Sequence, residues 1–223
     1  MKTKPVLEPY EHLLLFLSLI GIGFFIIFYV IAAKKYPGGS WIDPDLNRFS
    51  FWHNYLCDLL DLNAINGETN KARLYAIIAL SLLCTSILLL WTLLPKLFKR
   101  KNNIQKLMGG SGYLSLFSIL FLVLDYHDIV VRIAGIFGLV AFITCCIELY
   151  KTSYKKLFLL GVVCIIIFLS NYYIYETGII IHILPVVQKI TFALFIVWFI
   201  ALDLTLYQKI RQPNDTQIKK IIN

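Results

Sequence analysis

The stretch LLLFLSLIGIGFFIIFYVIAA, residues 13–33, decides the fold class. It carries no charged residue. At about 1.5 Å per residue, a helix of roughly 20 apolar residues crosses the hydrocarbon core of a bilayer. The run exceeds the about 7–15 residues of a signal-peptide apolar region, so the small residues at its end read as the edge of an uncleaved span. Comparable runs recur at about 74–94, 108–124, 129–147, 157–175 and 190–206. The expected fold is all-α: a polytopic membrane bundle of six transmembrane helices forming one domain, 1–211. A polar cytoplasmic tail, 212–223, follows, with a turn signalled by Pro213, Asn214 and Asp215.

Composition points the same way. The chain has 223 residues, 59% hydrophobic and 15% charged, with a mean hydropathy of +0.75. Too few charges are present to cover a soluble domain of this size, which excludes a cytosolic enzyme or a disordered regulator. The net charge of +8 suggests a nucleic-acid partner only until the charges are located. With the N-terminus inside, Lys2, Lys4, Lys96, Lys99, Arg100, Lys101, Lys106, Lys151, Lys155, Lys156, Lys209, Arg211, Lys219 and Lys220 fall on the cytoplasmic side. Lys34, Lys35, Arg48, Lys71, Arg73, Arg132 and Lys189 fall outside. This is the bias expected of alternating loops, so the excess is assigned to topology and to anionic headgroups, with no nucleic acid required. Both termini are expected to be cytoplasmic, in a cell membrane.

Five cysteines (Cys57, Cys84, Cys145, Cys146, Cys164) form no CxxC pair, and all but Cys57 lie in apolar runs, where they read as small packing residues. Tyr29, Tyr36 and Trp41, and Tyr172, Tyr173 and Tyr175, mark membrane interfaces. Gly21, Gly23, the Gly109–Gly112 cluster, Gly135 and Gly138 mark expected close helix contacts. The Gly cluster is no phosphate loop, since no Lys-Ser or Lys-Thr follows it.

The connection 34–71 is too long for a simple link and is expected outside. Tyr36-Pro37-Gly38-Gly39 and Asp43-Pro44-Asp45 signal turns. From 51 to 62, at 100° per residue, His53, Asn54, Cys57, Asp58 and Asp61 share one arc, and Phe51, Trp52, Tyr55, Leu56, Leu59 and Leu60 fill the rest. An amphipathic outer helix over 51–62 is therefore expected, capped by Ser50 and followed by an Asn66-Gly67 turn, with Asn70 capping the second span. It either lies in the interface or folds over the bundle mouth.

Asp125, His127 and Asp128 occupy the tight outer turn between spans three and four, and His182 approaches span six from the same side. Histidine and carboxylate suit a catalytic zinc, so His53, His127, His182 and Asp58 are candidate metal ligands, and His127, Asp128 and Asp58 candidate catalytic residues. No HExxH or paired-Cys signature supports the grouping. Asp128 and Arg132, at i,i+4, also read as a plain ion pair. Glu148 and Asp203 lie near inner span ends and are expected to reach the interface, while Lys189 can snorkel outward. Span middles carry only Ser, Thr and Cys, such as Ser81, Thr85, Ser86, Ser115, Ser118 and Thr144, which argues against ion translocation.

Tyr36-Pro37-Gly38-Gly39, the 51–61 segment with Asn54 and Tyr55, Asn66-Gly67-Glu68-Thr69-Asn70 with Ala72-Arg73, His127-Asp128 and Gln188-Lys189-Ile190 together resemble the bacterial domain-of-unknown-function 998 family along most of the chain. Its members are six-span proteins loosely similar to eukaryotic DRAM and Frag-like membrane proteins. The resemblance implies the architecture and draws attention to the outer loop, but it brings no reaction, substrate or catalytic residue.

Two functions from different classes follow. One is a membrane protein without catalysis whose polar outer vestibule, with Asn54, Asp61, Arg73, Asp125 and Lys189, binds a lipid headgroup, a small ligand or a partner. The other is a zinc-dependent hydrolase or transferase acting on lipid at the outer leaflet. A small transporter is a third class.

Overall fold

The computed structural model describes the backbone of residues 9–98, 101–123 and 127–222, and the side chains of residues 10–98, 101–121 and 128–210. The described chain forms α1 (Pro9–Lys35), α2 (Arg73–Leu93), α3 (Asn103–Ile119), α4 (His127–Lys151), α5 (Lys155–Thr177) and α6 (Leu184–Ile222), with no strand among the described residues. Five of these, α1, α2, α4, α5 and α6, are long and apolar enough to cross a membrane. α3 has 17 residues and continues as a 3-10 turn, Leu120–Val123.

The helices are apolar around their circumference, so side chains such as Phe16, Ile26, Leu88, Ile136, Ile166 and Val197 remain exposed, as lipid-facing residues would be. Consecutive helices pack against one another, and α6 returns to α1, closing a ring. The core inside it includes Leu15, Ile22, Leu90, Trp198, Leu202 and Leu206. Both buried indoles find acceptors: Trp91 donates to the Met108 carbonyl at 3.1 Å and Trp198 to the Leu157 carbonyl at 3.0 Å. Small residues let the backbones close. A Cβ on Gly112 would meet the Trp91 ring at 2.1 Å, and one on Gly21 would meet Ser86 Oγ at 2.1 Å. Gly23, Gly109 and Gly110 face open space, so these expected contacts are absent. All five cysteines are free, four of them buried.

One end of the ring collects basic side chains. Lys96 pairs with the buried Glu11, and Lys209 donates to the Leu97 carbonyl at 2.6 Å. Glu148 does not reach an interface as expected. It is 3% exposed and accepts hydrogen bonds from Asn102 at 3.0 and 3.1 Å and from Gln105 at 2.8 Å, which ties the start of α3 to α4. Asp203, also expected at an interface, is fully buried in α6.

The opposite end is covered by residues 36–72, here termed the cap. The expected helix over 51–62 does not form; only a 3-10 turn, Cys57–Leu59, is present. The cause is competition for backbone donors. Asn54 N–H reaches the Ser50 carbonyl at 3.0 Å, completing one helical turn. The next two donors are taken by side chains: Tyr55 N–H goes to Asp58 Oδ2 at 2.9 Å and Leu56 N–H to Gln188 Oε1 at 2.7 Å. A further correction concerns the tail. α6 runs on through Pro213 to Ile222, without the expected turn. Extending an established helix costs far less than starting one, so a single proline need not end it.

Candidate functional site

The cap gathers most of the residues singled out from the sequence. It is built of three turns around two asparagines. In the first, Gly39 N–H donates to the Leu46 carbonyl at 2.5 Å, and Asp43 N–H to Ser40 Oγ at 3.0 Å. Gly39 has φ +81°, and a Cβ there would lie 2.4 Å from Asn66 N, so only glycine permits this crossing of the two segments. The second turn is the interrupted helix of residues 50–59. The third is a hairpin turn at Asn66-Gly67, as expected, closed by Gly67 N–H to the Ala64 carbonyl at 2.9 Å.

Asn54 is fully buried. Its Oδ1 accepts from Ser50 N–H at 2.8 Å, and its Nδ2 donates to the Gly39 carbonyl at 2.7 Å and to Asp58 Oδ2 at 2.9 Å. Asn70 donates to the carbonyls of Asp58 at 3.0 Å and Asp61 at 2.9 Å and accepts from Ala72 N–H at 3.0 Å, so it shapes the turn ahead of α2. It is not the cap residue of that helix; Ala72 holds the position without a side-chain bond. Arg73 Nε donates to the Leu60 carbonyl at 3.0 Å. Below these, Leu59, Ala64 and Ala72 pack on Ala32 and Ala76 of the bundle.

Two residues of α6 fasten the cap from below. Lys189 is buried, donates to the carbonyls of Asn54 at 2.6 Å and Pro185 at 2.9 Å, and lies 5.7 and 5.2 Å from the ring centres of Phe49 and Phe51. The snorkelling expected of Lys189 is thus replaced by burial under the cap. Gln188 takes Leu56 N–H, and from α1 the Tyr29 hydroxyl donates to the Leu56 carbonyl at 2.5 Å. Sequence reading did not assign Gln188 or Tyr29 these contacts. The available signal was a Gln-Lys pair opening an apolar run, since two polar side chains there need partners.

The carboxyl of Asp58 is pushed up to about 6, chiefly by burial, with the donors Asn54 and Tyr55 N–H and the charge of Lys189 opposing and Asp61 reinforcing the rise. Burial likewise pushes the Cys57 thiol up to about 12, so at neutral pH it is a protonated thiol and a poor nucleophile. Because the folded value for Asp58 lies above its ordinary range near 4, its contribution to cap stability is fully present below about pH 4. That contribution should fall by on the order of 3 kcal/mol as pH rises toward about 6. Asp58→Asn should abolish this slope, as measured by protease cleavage of the cap across the pH range.

The remaining candidates lie at the margin of this network, elsewhere on the bundle or outside the described residues. His53 is half-buried, and its N–H donates to Ser50 Oγ at 3.3 Å. His182 is exposed on the 3-10 turn Ile181–Ile183. Asp61 is exposed at the cap edge. Asp128 accepts from the Tyr175 hydroxyl at 2.7 Å, while Arg132 makes a two-pronged bridge to Glu176 at 2.9 and 3.3 Å, joining α4 to α5. Asp125 and the side chain of His127 lie outside the described residues. Among the described residues, no group of three or more His, Cys, Asp or Glu is placed to hold a metal ion.

The cap therefore directs its central polar groups inward and, apart from Tyr36 and Phe49 in its core, turns several aromatic side chains outward. Trp41 is 73% exposed, Trp52 62%, and Phe51 and Ile42 55% each. Comparison with family models, with curated proteins and with solved structures finds no match.

Proposed function

We propose that this chain is a six-span protein of a bacterial cell membrane, with both termini cytoplasmic, related to the domain-of-unknown-function 998 family. In this reading it acts as a binding protein whose outer cap engages lipid headgroups. The observation that carries the proposal is the orientation of the cap: Asn54, Asp58 and Asn70 are consumed in holding it together, while Trp41, Ile42, Phe51 and Trp52 remain exposed. Exposed aromatic side chains of this kind belong at the headgroup level, where an apolar ring and a polar edge are both accommodated. The sixth span is α3 with its 3-10 extension, about 25 Å of α-helix and a further 8 Å or so, packed between α2 and α4. The basic end then faces the cytoplasm, as the charge bias requires.

The test is tryptophan fluorescence of the protein in phosphatidylglycerol–phosphatidylcholine vesicles containing lipid with a headgroup-attached quencher. Trp41 and Trp52 should supply most of the quenched signal, because Trp91 and Trp198 are buried in the ring. Trp41→Phe combined with Trp52→Phe should remove most of the quenching. Equal quenching in the double variant would defeat the proposal.

A further inference from the structure

Asp203 lies where a charged carboxylate is hardest to keep. It is 0% exposed, and neither of its oxygens has a hydrogen-bond partner within 3.5 Å among the described residues. Lys209, six residues on, marks the basic end of α6 through its bond to Leu97, so Asp203 sits about 9 Å deeper in the bundle. With a hydrocarbon core about 30 Å thick, that depth is within the apolar slab. An unpaired ion there is among the costliest groups a membrane protein can hold.

The hydroxyls nearest to Asp203 spend their protons elsewhere. Ser18 of α1 is its polar neighbour. A hydroxyl has a single proton, and that of Ser18 goes to the Ser86 carbonyl at 3.0 Å, while the Ser86 hydroxyl donates to the Leu82 carbonyl at 2.7 Å. With that proton on Ser86, Ser18 presents lone pairs to Asp203, which suit a carboxylic acid that brings its own O–H; only by giving up the Ser86 carbonyl could the hydroxyl serve a carboxylate instead. Among the described residues, the other ionisable groups at this end include Glu11 and His12 of α1, Lys96 after α2, Lys101 and Lys106 around the start of α3, Glu148, Tyr150 and Lys151 of α4, Tyr154, Lys155 and Lys156 at the start of α5, and Tyr207 and Lys209 of α6. Glu11 is paired with Lys96, Lys209 binds Leu97, and the His12 ring meets Tyr207 edge-on at 5.5 Å. None hydrogen-bonds Asp203.

We infer that Asp203 and Ser18 form a proton-binding site in the seam between α1 and α6. The carboxylate takes up a proton to form the acid, whose O–H is directed at Ser18 Oγ. Loss of that proton leaves a buried charge that can be hydrated only if the seam opens, so proton occupancy and helix packing are coupled.

The test is infrared spectroscopy of the full chain in lipid bilayers at about pH 8, where Asp58 is ionised. The wild type should show a protonated-carboxyl stretch that shifts on labelling with 13C-aspartate, disappears in Asp203→Asn and persists in Glu11→Gln. Ser18→Ala, which removes the acceptor, should make the band titrate away at lower pH. Absence of a label-sensitive band in the wild type, or its persistence in Asp203→Asn, overturns the inference. If Asp203→Asn does not fold, the labelled wild type and Ser18→Ala decide the matter.

Discussion

Asn54→Ala should open the cap while leaving the helix ring assembled. The substitution strands Ser50 N–H and the Gly39 carbonyl and removes a donor from the Asp58 carboxylate. Leaving buried polar groups unsatisfied costs roughly 1–3 kcal/mol each, more where a charge is involved, so the local loss should be at least about 3 kcal/mol. The expected readout is rapid proteolysis between residues 36 and 72, with helical circular dichroism little changed. Asn54→Asp should be worse still, since it places a second carboxylate beside Asp58. A cap as protease-resistant as the wild type in Asn54→Ala would show that the asparagine is not its centre.

The second large effect is expected at the other end. α3 has little apolar length of its own, and its start is secured by one side chain from α4. Asn102 accepts Gln105 N–H through its oxygen and donates through its amide to Glu148, and the Gln105 side chain donates there as well. Glu148→Ala removes the charged acceptor shared by the half-buried Asn102 and the buried Gln105, and should cost about 3 kcal/mol in detergent unfolding. Glu148→Gln retains an acceptor of similar shape but loses the charge, and should cost roughly half as much, since hydrogen bonds to charged groups are about twice as strong as neutral ones. Equal stability of Glu148→Ala and wild type would mean that α3 is held by apolar packing alone.

These two sites also mark where sequence reading succeeds and fails. The helices were legible because the bilayer makes hydropathy a local property: each segment must satisfy its own backbone, so 20 or so apolar residues suffice to specify a helix without knowledge of any neighbour. Five of the expected spans correspond to helices long and apolar enough to cross. The Asn66-Gly67 turn was legible for a similar reason, its bond spanning three residues.

The cap was not legible at that range. The periodicity of residues 51–62 is helical, yet Leu56 N–H is taken by Gln188, 132 positions away, and the Asn54 carbonyl by Lys189, 135 positions away. No window of sequence contains both partners, so from the sequence the arc of polar residues faces either water or a vestibule, whereas in the fold its central members face one another. Arg132 was paired by spacing with Asp128, whereas the bridge to Glu176 spans 44 positions. Asp203 was placed at an interface by its distance from the span end, and only the closure of α6 onto α1 buries it. The amino-acid sequence by itself determined that the chain is a membrane protein built of helices, because solvent acts on each segment separately. Which polar side chains are spent inside the protein was decided by tertiary structure, because a buried hydrogen bond depends on where its partner has been carried by the rest of the fold.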